Sequence, residues 1–275
     1  MRDDLAVDDR ASAELQRFDQ RRLVPDLSAW VERWRAGGLA AAARLGEPAR
    51  LDYGLTPAEY VDLFPAPGAR GVHLHFHGGA WKALGSNDSW WLAGPWHDAG
   101  WHFATVNFGL VPEIGLGLQV RQCRTALRLL PELLQRAGQA PVERVVVSGH
   151  SSGAHLAAMV ALTDDEEAPG AAPAVQAAVL ASGLYDLRPV RLSARNDYLG
   201  LDQAAADSLS PMRRLAARLP SVTVLWSENE LPEFQRQSAD LVAALRTRGA
   251  AVTERRSGAA THFDTWDEIL PGLLG

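Results

Sequence analysis

Two hydrophobic patterns alternate along the chain. Short runs rich in valine and aromatic residues occur at 50–53, 59–64 (EYVDLF), 71–76 (GVHLHF), 101–108 (WHFATVNF), 144–148, 175–181, 221–226 (SVTVLW) and 251–255. Their length and their flanking turn residues predict strands. Between them, apolar positions recur at helical spacing over 27–43, 119–137, 207–219 and 234–248. Asp26 is placed to cap the first of these helices, and Gly37-Gly38 is expected to break it. Pro131 is expected to split or kink the second. Residues 86–99 read as a loop entering a helix, and a short helix is expected after Asp264. Residues 1–20 are charged and expected to be frayed or loosely helical, and 163–173 read as a polar loop.

The first two strands flank a turn at Leu55-Thr56-Pro57-Ala58 and read as a hairpin. The later strands are apolar on both faces, as parallel strands covered by helices must be. The predicted class is therefore α/β: a mostly parallel central sheet, helices on both faces and an antiparallel N-terminal start. No repeat, linker or low-complexity tract interrupts the pattern, so 1–275 is expected to be a single domain, with a small lid or excursion at 187–215.

One stretch carries chemistry. The run Val145-Val146-Val147 leads into Gly149-His150-Ser151-Ser152-Gly153, and a helical pattern follows. Strand, G-x-S-x-G and helix together form a nucleophile elbow with Ser151 at its apex. A serine hydroxyl needs a base to take its proton and a carboxylate to orient that base, arriving in the order Ser, acid, His. Two histidines follow Ser151. His155 lies inside the elbow helix and should point away, whereas His262 sits in a loop after the last strand and is expected to be the base. The acid should follow the strand at 221–226, where Glu228, Glu230 and Glu233 are candidates. Asp264 reads as a helix cap. Upstream, His77-Gly78-Gly79-Ala80 follows a strand. Amides of Gly78, Gly79 and Ala80, with that of Ser152, are expected to form the oxyanion hole. His77 and His150 read as structural. His73 and His75 alternate along one strand face and could mimic a metal pair, but no carboxylate or cysteine cluster accompanies them, so neither metal nor cofactor is expected. Of the tryptophans at 81, 90, 91 and 96, only Trp81 is assigned to the substrate wall; the others read as core.

The chain of 275 residues is long enough for a sizeable core. A net charge of -6 argues against a nucleic-acid partner. No apolar run is long enough to span a membrane, and the acidic start Met1-Arg2-Asp3-Asp4 lacks the apolar core of a signal peptide. The one cysteine, Cys123, makes no internal disulfide and suits a reducing cytoplasmic setting.

The motifs HGGAWK (77–82) and GHSSGAHLAAM (149–159) resemble those of the arylformamidases, or kynurenine formamidases, of the α/β-hydrolase superfamily. SGLYDLRPV (182–190), ENELPEFQRQS (228–238), VPDLSAWVERW (24–34) and THFD (261–264) extend the resemblance along nearly the whole chain. It implies an α/β-hydrolase fold and a Ser-His-Glu triad. In the family the acid stands three residues before a Glu-Phe pair, as Glu230 stands before Glu233-Phe234. The implied reaction is hydrolysis of N-formyl-L-kynurenine to L-kynurenine and formate, a step of tryptophan catabolism. The family often has Tyr-Asp-Leu after the strand near 106, where this chain reads Asn107-Phe108-Gly109-Leu110; that bears on the substrate, not on the chemistry. An esterase or amidase using the same triad is the alternative, and a non-catalytic binding protein on the same fold ranks last because the three triad residue types are all present. The expected partner is a small aryl amide or ester, and the assembly considered is a homodimer.

Overall fold

The computed structural model describes residues 16–165, 168, 172–258, 261–267 and 270. Residues 1–15 and part of the segment after Asp264, where a short helix is expected, therefore lie outside the described residues. A 3-10 turn at Gln20–Arg22 precedes helix α1 (Ser28–Leu45). Strands β1 (Ala49–Asp52), β2 (Tyr60–Phe64) and β3 (Val72–Phe76) follow. After a 3-10 segment at Ser86–Leu92 come α2 (Ala93–Asp98), β4 (His102–Val106) and α3 (Leu116–Arg136). The elbow joins β5 (Val145–His150) to α4 (Ser152–Ala161). Next are β6 (Ala177–Ala181) and three short helices, α5 (Leu187–Arg191), α6 (Asn196–Leu199) and α7 (Gln203–Ser208). Then come β7 (Ser221–Ser227), α8 (Pro232–Thr247) and β8 (Val252–Ser257).

The strands form one eight-stranded sheet in the order β1-β2-β4-β3-β5-β6-β7-β8. β2 runs antiparallel to both β1 and β4, and every other pairing is parallel. β3, β4 and the first five residues of β5 are buried throughout, as strands covered on both faces must be. The α/β-hydrolase architecture, with its antiparallel start, is thus the one observed.

Three local expectations change. α1 runs straight through Gly37-Gly38, because those glycines serve packing rather than termination. A Cβ on Gly37 would lie 2.9 Å from the Trp91 Cβ, and one on Gly38 3.1 Å from the Trp90 Cβ. α3 is likewise not split at Pro131; its amphipathic face, including Cys123, Leu127, Leu130 and Leu134, is buried in the core. The helix expected over 207–219 is absent. A 3-10 turn covers Pro211–Arg213, and the chain then leaves helical geometry to pair beside the C-terminal end of α4. There Leu215 bridges Thr163, and the Ala216 N–H donates to the Leu162 carbonyl at 2.8 Å.

Candidate active site

The elbow is built by close approach. A Cβ on Gly149 would lie 2.1 Å from the Gly153 carbonyl oxygen, and one on Gly153 2.1 Å from that of Phe76. Only glycine lets strand and helix meet at that separation. Ser151 between them takes φ 56° and ψ -122°, a strained conformation held by its own N–H donating to the Ala181 carbonyl at 2.8 Å.

The loop after β3 bends against the elbow. Gly79, Ala80 and Trp81 have successive φ values of 107°, 54° and 63°. The Gly79 carbonyl accepts from the N–H groups of Lys82 and Ala83. A Cβ on Gly79 would lie 2.0 Å from the Ala83 carbonyl oxygen, and one on Gly78 2.9 Å from that of His150. His77 Nδ1–H donates to the Gly78 carbonyl at 2.8 Å, and its ring stacks on Phe108 at 4.2 Å. Phe108 thus props this loop, and the neighbouring Asn107 side chain ties the backbones of Ala58 and Ser86. Ser152 opens α4, so its N–H has no partner within the helix.

His262 and Glu230 meet inside the protein. His262 Nδ1 lies 2.5 Å from Glu230 Oε2, and the two residues are 2% and 3% exposed. With Nδ1 turned to the carboxylate, Nε2 is the nitrogen left to serve a serine. Burial, and after it the charge of Arg195, holds the imidazole neutral well below its ordinary range. Burial pushes the Glu230 carboxyl upward, with the Ser182 hydroxyl acting against it. Phe234, His150 and Phe263 pack around the imidazole at centroid distances of 4.8, 4.8 and 5.1 Å. The rival acids stand elsewhere: Glu228 is exposed, and Glu233 pairs with Arg236 at 2.8 Å. Asp264 accepts from the Thr261 N–H and hydroxyl.

A cavity of about 710 Å³ brings Gly78, Gly79, Ala80, Ser151 and His262 together. Ser152 and Trp81 are not on its wall. Trp81 is 1% exposed, a correction to its expected place in the substrate wall. Its Nε1–H donates to His155 Nδ1 at 3.1 Å, and His155 Nε2–H donates to the Leu209 carbonyl at 2.8 Å. That chain ties the glycine loop to α4 and to the C-terminal end of α7. The aromatic wall comes instead from Trp30, Trp34 and Phe263, whose rings lie 6.1 to 6.4 Å apart. The i, i+4 spacing of Trp30 and Trp34 on α1 was the available signal. Gln20, also missed, places Nε2 3.2 Å from His262 Nδ1 and lines the cavity. His73 and His75 both face the Ser148 hydroxyl, His75 at 2.9 Å, and among the described residues no group of three or more His, Cys, Asp or Glu side chains is placed to hold a metal ion.

The sequence matches the BD-FAE family over residues 66–243. A kynurenine formamidase of Danio rerio is 31% identical over 228 residues, covering 80% of this chain and 76% of the relative. A crystal structure from Silicibacter sp. TM1040, provisionally assigned as a thioesterase, superposes with a TM-score of 0.81 at 25% identity, covering 94% of this chain and 96% of that one. Esterase LipW of Mycobacterium marinum superposes with a TM-score of 0.74 at 20% identity, covering 94% of this chain and 89% of its own.

Proposed function

The chain belongs to the kynurenine formamidase family of the α/β-hydrolases and is a hydrolase of an amide or ester; on that premise we propose that it removes the formyl group of an aryl formamide through Ser151, His262 and Glu230. N-formyl-L-kynurenine is the substrate favoured, giving L-kynurenine and formate. The observation that carries this reading is the 2.5 Å contact of Glu230 with His262, which lines the same cavity as Ser151.

Ser151 Oγ attacks the formyl carbon as His262 Nε2 takes its proton. The carbonyl oxygen becomes an oxyanion, received by the amides of Gly79, Ala80 and Ser152, with Gly78 beside them. One such donor is worth about 3 kcal/mol in the transition state. Collapse expels the aryl amine, which takes the proton from His262 and leaves a formyl-serine ester. Water, deprotonated by the same imidazole, attacks that ester and releases formate. Glu230 holds the imidazole with Nδ1–H inward and stabilises the imidazolium formed at each step. Trp30, Trp34 and Phe263 offer the aryl ring an apolar aromatic wall.

A second reading, a carboxylesterase, is favoured by one observation. The cavity reaches Leu92, His75 and Trp266, which leaves more room than a formyl hydrogen needs. Values of kcat/KM for N-formylkynurenine and p-nitrophenyl butyrate, with the kynurenine product identified by mass spectrometry, decide between them. A clear preference for the butyrate rejects the formamidase.

A further inference from the structure

One side of the cavity carries charge that the triad does not use. Arg195, at the N-cap of α6, lines the cavity together with Lys82 and Tyr198. The Arg195 guanidinium donates to the Phe18 carbonyl at 2.7 Å and to the Tyr198 hydroxyl at 3.4 Å. Its Nε is buried with no hydrogen-bond partner. The Lys82 ammonium lies 4.1 Å from the centre of the same tyrosine ring. Among the described residues, neither cation has a carboxylate within ion-pair distance. Two carboxylates share this part of the cavity. Asp19 is committed to Arg21 at 2.6 Å, so that pair is neutral; Asp197 is exposed. Two cations against Asp197 leave a net positive mouth.

Position decides which part of a substrate meets this charge. Of the residues that line the cavity, Lys82, Ala83, Ala194 and Asp197 are exposed, whereas His75, Leu92 and Trp266 are buried. The acyl group stays bonded to Ser151 while the leaving group departs, so the leaving group belongs at the open side. We propose that Arg195 and Lys82 form an anion subsite on Tyr198 that selects leaving groups bearing a carboxylate. This deepens the formamidase reading and rests on it for which part of the substrate departs. Arg195 is also close enough to depress the basicity of His262. A bound carboxylate offsets that charge, so the anion strengthens the base as it binds.

The test is the binding of 4-(2-aminophenyl)-4-oxobutanoate and of its methyl ester to the full chain by titration calorimetry. The two ligands share the aryl group and differ in charge. The acid is expected to bind at least about 10-fold more tightly, in line with hydrogen bonds to charged groups, and to lose that advantage as salt is raised. Arg195→Gln should remove most of the acid-to-ester ratio and Arg195→Lys should keep part of it. Lys82→Gln should lower the ratio by about 2- to 5-fold, as an exposed charge does. Equal binding of acid and ester, or a ratio unmoved by Lys82→Gln and Arg195→Gln, overturns the proposal. Should Arg195→Gln fail to fold, Lys82→Gln still judges it, since that side chain is exposed. Calorimetry needs no turnover. A protein that binds the acid selectively but hydrolyses no formanilide therefore loses the formamidase reading and keeps the subsite; one that hydrolyses formanilides without that selectivity does the reverse.

Discussion

Glu230 Oε2 lies 2.5 Å from His262 Nδ1, across a sequence separation of 32 residues and out of reach of bulk solvent. Such a contact fixes the tautomer of the ring, and an amide in place of the carboxylate fixes the wrong one. Glu230→Gln is therefore expected to lower kcat by about 10⁴-fold, by analogy with the Asp→Asn change in the serine-protease triad. Glu228→Gln, at an exposed site, should change kcat by less than about 2-fold, as surface substitutions do. Steady-state kinetics on both variants check the pair, and a reversed result transfers the role to Glu228.

Ser151→Ala is expected to abolish turnover, with a loss on the order of 10⁶-fold as in subtilisin. It should also abolish labelling by a fluorophosphonate probe while the far-UV circular dichroism stays unchanged. Wild-type protein that resists the probe would point to a binding protein on a hydrolase fold.

How far the sequence disclosed this site differs from residue to residue. Ser151 and the glycines around it are a local device, so strand, turn and helix signals sufficed. His262 could be named because histidines after Ser151 are few. Glu230 could not be separated from Glu228 by pattern alone. What separates them is burial, and the β7 pattern does not encode which glutamate turns inward. Gly37-Gly38 looked like a stop because the tryptophans that need the space lie some 50 positions away, at 90 and 91. Trp81 was misread for a related reason. Next to a catalytic loop it could face either way, and its bond to His155 depends on a residue of the elbow helix. Gln20, Trp30 and Trp34 reach the site only through the tertiary fold, from a segment more than 100 residues before the nucleophile.

The division of labour among the tryptophans is testable. Trp30→Ala or Trp34→Ala should raise KM for aryl substrates, since each ring lines the cavity, and change kcat much less. Trp81→Phe keeps an aromatic ring, though a smaller one, but removes the donor to buried His155 Nδ1, at a cost of about 1–3 kcal/mol in stability. Its expected signature is a lower Tm with little change in selectivity between aryl and small formyl substrates. A rise in KM confined to aryl substrates in Trp81→Phe would restore that residue to the substrate wall.

The acid limb of activity should lie lower than free histidine would give. His262 must be neutral to accept the serine proton, and burial, then Arg195, depresses its ionisation. The profile of kcat/KM is therefore expected to be flat through pH 6.5, with its fall on the acid side of that value. Arg195→Gln should move the fall toward higher pH. A midpoint above pH 6.5 in the wild type would mean that the imidazole is not in the environment described.

Acid should also unfold the protein, and the sign follows from the buried histidines. Burial, the largest cause in each case, lowers His75 and His150 to about 3 and His77 and His155 to about 4. In the unfolded chain each titrates near 6.5. Above that value neither state holds the proton and the full stability is present. Between 6.5 and the folded values the unfolded state binds protons that the native state refuses, so stability is lost as pH falls through that window. Each histidine contributes a slope of up to about 1.4 kcal/mol per pH unit, and the four together about 5. Against a typical total of 5–15 kcal/mol, that is enough to unfold the chain between about pH 5.5 and 4. His155 offers the control, because it accepts from Trp81 on one nitrogen and donates to Leu209 from the other. A glutamine can do both and does not titrate. His155→Gln should cost some stability at pH 8 yet reduce the slope near pH 5 by about 1.4 kcal/mol per unit, one proton's worth. Urea unfolding at pH 8, 6, 5.5 and 5 measures both quantities. An unchanged slope would show that His155 is already protonated in the native state, contrary to its buried, fully bonded setting.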